Sequence, residues 1–324
     1  MFASMLGFII TFILGLFLII GLISSLISYS EKEVVQVKAN SILFIDITQV
    51  LSDRTSNNPL NTIDYLSLKP HKYLGLNDIL KNIRKAKEDP NIEGIYIELS
   101  NLSAGISTLG EIRTALLDFK ESGKFIISYS EYMSQGAYFI ASVADKIYHN
   151  PQGIFLFKGL SAQVMFYKGL LDKLEVEAQV IRHGDYKSAV EPYLLDHMSK
   201  ANRKQTSLYI DNVWRFMLQQ IAESRETTVE ALNEAADKLI LQNLDDAVEY
   251  KLIDKLIYKD EVLQELQKLL AIGSSDQINS ISLAKYNNTA DLKTIKGRDK
   301  IAVIYAQGSI IGGNGDDQSI DPWA

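Results

Sequence analysis

Cysteine is absent from the 324-residue sequence. Its absence excludes thiolate catalysis, disulfide staples and cysteine-ligated metal, and it suits either side of a membrane equally. Histidine is scarce, with four residues and no pair at metal-ligand spacing, so no metal site is expected. No block of Lys or Arg stands anywhere, and the net charge is -7. Nucleic acid is therefore not an expected partner, because nothing clusters to neutralise phosphates. The glycine-rich GGNG at 312–315 lacks the Gly-Lys-Ser/Thr that would make it a phosphate loop, and no cofactor is expected. Charge itself is missing from the first thirty residues, MFASMLGFIITFILGLFLIIGLISSLISYS. Roughly 20 apolar residues span a bilayer core, and this run is longer. No basic residue precedes it, and its apolar core is too long for a secretory signal. Residues 1–30 thus read as a retained single-pass anchor rather than a cleaved leader. The flanking Glu31, Lys32, Glu33 and Lys38 supply almost no positive-inside bias to orient it.

What is present is the composition of a globular protein, 47% hydrophobic and 23% charged, with room for one large or two ordinary domains. SILFIDI (41–47) is a near-continuous apolar run suited to a buried strand. GLNDILKNIRKAKED (75–89) places Leu76, Leu80 and Ile83 at helical spacing, with Pro90 as a stop. A strand at 92–99, a helix at 108–123 and a strand at 124–130 follow, then a strand near DKIYH, a helix at FYKGLLDKLE and a strand VEAQVIRH (176–183). Strands alternating with helices predict an α/β fold with a parallel sheet. From about residue 195 to 271 the character becomes helical, and Ile210, Val213, Trp214, Met217, Leu218 and Ile221 form one stripe expected to pack rather than to bind. Residues 272–299 read as a linker. The segment from 300 begins KIAVIYAQGSI, which echoes ILFIDITQVL at 42–51, and so reads as the start of an incomplete second repeat over 300–324.

The chemistry concentrates in HGDYKSAVEPY (183–193). Surface lysines usually stand among other charges, whereas Lys187 follows an apolar run and precedes Ser188, Ala189 and Val190. A lysine desolvated at a strand end can lose its proton and accept one from a serine hydroxyl. The same position would equally suit an ion pair with Glu191, and the residues alone leave both open. His183 and Asp185, two apart in one loop, read as a hydrogen-bonded pair rather than as parts of a triad.

Three stretches carry a resemblance to a known family: YSEYMSQGAYFIASVADKIYHNPQG (129–153), KGLLDKLEVEAQVIRHGDYKSAVEPYLLDHMS (168–199) and the N-terminal anchor. They resemble signal peptide peptidase A, or protease IV, in its long two-repeat form. The resemblance implies a Clp-protease/crotonase-like repeat over 41–271 and a membrane-anchored serine endopeptidase that degrades cleaved signal peptides. It implies a Ser/Lys dyad in which the lysine of the first repeat, here Lys187, is the general base for a serine of the second. It further implies a homo-oligomer, a tetramer, with its bulk on the extracytoplasmic side of the inner membrane and apolar peptides as partners. The chain departs from the family in two places. MSQGAY puts Ser134 where the active repeat has its nucleophile, but in what resembles the non-catalytic copy. NLSAG (101–105) keeps only Gly105 of the Pro-Gly-Gly oxyanion turn. The alternative function is a non-catalytic, membrane-tethered subunit that assembles or binds peptides. A CoA-dependent hydratase of the same superfamily is weaker still, since its acid pair is missing.

Overall fold

The computed structural model describes residues 2–28, 35–47, 51–55, 74–102, 104–290, 301–304, 309–310 and 319–320. Six strands form one sheet: β1 (Ser41–Asp46), β2 (Ile92–Glu98), β3 (Phe125–Met133), β4 (Lys146–Phe155), β5 (Lys255–Leu256) and β6 (Asn279–Ser282). Their order is β5-β4-β3-β2-β1-β6, and every pairing is parallel. The helices α2 (Leu76–Glu88), α3 (Ile106–Lys120) and α4 (Gln135–Ala141) make the crossovers between β1, β2, β3 and β4. The α/β expectation therefore holds, with strand positions close to those read from the sequence.

The strands read as continuous apolar runs because both sheet faces are covered. On one face Leu43, Ile45, Ile95, Ile97 and Ile126 pack with Ile79 and Ile83 of α2 and with Ile112, Leu116 and Phe119 of α3. The opposite face carries Ile42, Tyr96, Ile127, Tyr129 and Tyr148, covered by Ile257 and by Val262 and Leu266 of α10 (Lys259–Leu269). Each such side chain removed from water contributes roughly 1.5–3 kcal/mol before entropy is counted. The stripe on α7 (Lys200–Arg225) packs as expected. Met217, Leu218 and Ile221 are buried, and the partly buried Trp214 donates its indole N–H to Asn233 Oδ1 at 2.9 Å on α8 (Val229–Asp237).

Two expectations are corrected. VEAQVIRH (176–183) is not a strand: the segment lies outside the sheet and Ile181 is wholly exposed. Its apolar alternation pairs with no strand of the sheet. The span read as a linker also contains structure. β6 extends the sheet beside β1, and α11 (Leu283–Tyr286) follows it. Tyr286 is fully buried and donates its hydroxyl to Asp89 at 2.9 Å, while Lys85 Nζ donates to Tyr286 O at 3.0 Å and to Thr289 Oγ1 at 2.7 Å. Short polar segments of this kind read as linkers because four residues carry too little periodicity to show a strand.

The N-terminal run forms one helix, α1 (Phe2–Ser28). Its uninterrupted stretch of described side chains is residues 5–18, and among the described residues no helix is long and apolar enough to cross a membrane. Residues 291–324 make a second unit, in which β7 (Ser309–Ile310) and β8 (Ser319–Ile320) pair in parallel. Residues 301–304 form no strand there, and 305–308 and the GGNG stretch lie outside the described residues.

Arg113 on α3 is the largest fully buried side chain of the core. Its Nη1 donates to Phe139 O at 2.6 Å and Ser142 Oγ at 2.7 Å at the end of α4, and its Nη2 donates to Gln220 O and to Ser224 Oγ at 2.6 Å on the last turns of α7. The guanidinium also lies over the Phe139 ring, 5.0 Å from its centroid. Burial pulls its pKa down to about 10, so it remains charged at neutral pH. Two helix C-termini, with the negative ends of their dipoles, stand where a carboxylate would otherwise be needed. Replacing Arg113 by Met keeps the bulk but strands these acceptors. The expected loss is about 2–4 kcal/mol, read from urea unfolding; a variant as stable as the parent would show that the clamp contributes nothing net.

Candidate active site

In a parallel sheet the carboxyl ends of the strands and the amino ends of the following helices share one edge, and sites gather there. β3 ends at Met133 and α4 starts at Gln135, leaving Ser134 as the N-cap, in extended conformation at φ -70 and ψ 160. Its Oγ accepts from Ala137 N at 3.3 Å, so the hydroxyl serves a capping role. The neighbouring turn lies between β2 and Gly105, the N-cap of α3. Ser134 N donates to Ser100 O at 3.2 Å, which ties the two turns together. A Cβ on Gly136 would lie 3.3 Å from Leu109 Cδ1 and 3.5 Å from Leu102 O, so the start of α4 is pressed against the β2–α3 turn. The structure thus brings the MSQGAY turn against Leu102 of the neighbouring turn.

No base is hydrogen-bonded to Ser134. His149 is buried on β4, and its two ring nitrogens face Asn150 O at 2.9 Å and Ile154 O at 3.3 Å. Burial holds its pKa below the ordinary histidine value, and the backbone carbonyls only partly offset this. It is a structural imidazole. His183 and Asp185 are both exposed, and no hydrogen bond joins them, contrary to expectation. Among the described residues no cluster of His, Asp or Glu could hold a metal.

Lys187 lies in an exposed loop, not at the end of a buried strand. Gly184 turns the chain at φ +96, a conformation that favours glycine. Lys187 N then donates to Gly184 O at 3.4 Å, and Ser188–Val190 make a single 3-10 turn leading into α6 (Glu191–Leu194). The ion pair with Glu191 that the sequence left open is not formed. Glu191 Oε1 accepts from Ser199 Oγ at 2.6 Å, and Oε2 accepts from Ser199 N at 3.3 Å and Asn202 Nδ2 at 2.9 Å. Arg182 Nη1 stands 3.6 Å from Oε1 and donates to Lys187 O at 3.2 Å. Burial opposes ionisation of Glu191, but the donors from Ser199 and Asn202, with Arg182 nearby, hold its pKa below the usual carboxylate range. The Lys187 amine makes no hydrogen bond or ion pair among the described residues. Sequence reasoning missed Arg182, Ser199 and Asn202; the available signal was the helix-start pattern of Ser199 before α7, whose Oγ caps Asn202 N at 3.1 Å.

A cleft of about 550 Å³ between α7 and α8 is floored by Trp214, Leu218 and Val229. It contains neither Ser134 nor Lys187, so its size does not make it the active site.

Residues 118–273 match Peptidase family S49. Protease 4 of Salmonella typhi is 34% identical over 288 residues, covering 85% of this chain and 46% of that protein. The chloroplastic serine protease SPPA of Arabidopsis thaliana is 30% identical over 253 residues, 76% of this chain and 37% of that protein. Protease 4 of Haemophilus influenzae is 29% identical over 252 residues, 75% of this chain and 41% of that protein. The chain spans less than half the length of each of these relatives. Residues 118–273, which hold β3, α4, the Lys187 loop and α7, carry the match to peptidase family S49, and the chain is a homologue of the protease 4 and SppA proteases.

Proposed function

We propose that this chain contributes the general base of a membrane-anchored serine endopeptidase with a Ser/Lys dyad, acting on cleaved signal peptides and other apolar peptides. The observation that carries the reading is the state of Lys187. Neither carboxylate of the motif, Asp185 or Glu191, pairs with its amine among the described residues, and Glu191 is taken by Ser199, Asn202 and Arg182. A neutral amine takes the proton of the serine hydroxyl and later delivers it to the leaving amine. The exposed loop gains its desolvated setting from whatever covers it in the complete protein. We place the nucleophile in a second repeat of the same Clp-protease/crotonase type, because Ser134 is committed to capping and lacks a base. The exposed apolar side chains Leu170, Leu174, Ile181, Leu208 and Tyr209 support assembly into a homo-oligomer, which we take as a tetramer. The capped Ser134 equally favours the inert, peptide-binding reading for this chain in isolation.

Anchoring rests on α1. The sequence of residues 1–30 contains no charged side chain and exceeds the roughly 20 apolar residues that span a bilayer core. We place the remainder of the chain on the extracytoplasmic side of the inner membrane. A reporter fused after residue 324 that works only when exported should be active, and activity of a cytoplasm-dependent reporter at that point would refute the placement.

In the complete two-repeat protein, Lys187→Ala should abolish peptide hydrolysis without loss of folding. Lys187→Arg should fail as well, since a guanidinium stays protonated. Substantial activity in the arginine variant would remove the general-base role. For the isolated chain, a serine-directed acylating probe should leave Ser134 unmodified by mass spectrometry, and Ser134→Ala should cost only the cap, about 0.5–2 kcal/mol of stability. Stoichiometric labelling of Ser134 that vanishes in Lys187→Ala would mean that the first repeat carries its own dyad.

A further inference from the structure

The arm from Lys158 to Ala201 has almost no interior: among these residues Glu191 alone is buried. A carboxylate in that position is anomalous, because ionised groups are the last to leave water and do so only when well paired. Its partners explain it. Ser199 N and Oγ and Asn202 Nδ2 all belong to the amino end of α7, where the positive end of the helix dipole favours an anion. The last turns of that 26-residue helix are fixed in the core by Arg113. On its other side the carboxylate faces Arg182, and the same Arg182 nitrogen donates to the main-chain carbonyl of Lys187. The path from the core to the lysine therefore runs through α7, Glu191 and Arg182.

We propose that Glu191 and Arg182 are the positioning residues of Lys187, with the buried carboxylate docking the loop on α7 and the guanidinium holding the lysine's backbone. The proposal rests on the reading of Lys187 as general base. Glu191 performs two tasks at once. It fixes the loop, and by accepting from α7 and Arg182 it stays out of reach of the amine. Pro192 and Tyr193 complete the docking, since Tyr167 N donates to Pro192 O at 2.7 Å and the Tyr167 and Tyr193 rings stack at 5.7 Å. The rest of the loop, from His183 to Lys187, is exposed, so the clamp is the main restraint on it.

Two measurements test this separately. Hydrogen exchange on the 324-residue chain reads the loop without any catalysis. Arg182→Gln and Glu191→Gln should each speed exchange of the Lys187–Val190 amides about tenfold, with melting temperature and far-ultraviolet dichroism showing that the core persists. Arg182→Lys, which can still pair with Glu191 and donate to the carbonyl, should recover most of the protection. Unchanged exchange in Arg182→Gln overturns the clamp. Peptide hydrolysis by the complete two-repeat protein reads the consequence. Both glutamine variants should lower kcat about ten- to hundredfold with KM unchanged, and Arg182→Gln should add nothing in a Lys187→Ala background. Full kcat in Arg182→Gln, with Lys187→Ala inactive, overturns the positioning role and leaves the general base standing. Activity in Lys187→Ala removes the general base itself, whatever the exchange result, and the clamp then has no catalytic purpose.

Discussion

One buried cation sets the geometry of this domain. Arg113 reaches from α3 to the ends of α4 and α7, and no other side chain touches all three helices with hydrogen bonds among the described residues. Its position is tolerable because helix C-termini present unpaired carbonyls that need donors in any case. The guanidinium supplies one of them, Phe139 O, together with Gln220 O and the Ser142 and Ser224 hydroxyls, in the planar fork that an ammonium lacks. The seven-residue α4 is already packed through the buried Ala137–Ala141, and the guanidinium adds a polar tie from its end to α7. With it, the serine turn at one end of α4 is referred back to the sheet.

The two ends of α7 then play different parts. Its C-terminal half lies in the main core through Met217, Leu218 and Ile221, whereas its N-terminus receives Glu191 outside that core. Local stability follows burial and hydrogen bonding, so the arm of residues 158–201 opens at lower free energy than the sheet. A base-bearing loop on such an arm can be adjusted by whatever packs on it, while polar contacts keep its register. Hydrophobic anchoring could not do this, because the arm has no interior in which to place an apolar side chain.

The sheet and its crossovers were legible because long apolar runs, Pro90 and the alternation of strand and helix all point to one architecture. Lys187 stood out for the same reason that made its setting misleading. VEAQVIRH has the pattern of a strand, but a strand forms only by pairing, and this segment joins no strand of the sheet. β6 was hidden by its length and polarity. Its stability comes from pairing with β1 and from Tyr286 on Asp89, contacts about 200 residues apart that no local window contains. The roles of Arg113 and Glu191 were equally unreadable, since each looks in sequence like a charge on a solvated helix or loop. Only the fold shows what each faces.

The chemistry of the candidate site is divided by the same geometry. The Ser134 turn and the turn after β2 meet at the ends of β2 and β3, held by the Ser134–Ser100 backbone bond. The lysine sits on the arm, which meets that edge at its start, where Lys158 N and Gly159 N donate to Gln135 Oε1, and is docked on α7 through Glu191. Acyl transfer needs nucleophile, base and oxyanion donors within hydrogen-bond reach of one reacting carbonyl. In this domain the Ser134 hydroxyl caps α4, and no hydrogen bond joins it to the Lys187 amine among the described residues; on the proposed reading each lacks its partner. A hydroxyl that caps a helix and an amine without an anion are each at rest until a surface bearing the missing group covers the arm. The exposed apolar side chains on α5 (Lys168–Lys173) and α7 provide such a surface with area to bury. Burial there would also remove water from around Lys187, which is the step that favours its neutral form. Packing and activation of the base would then be a single event.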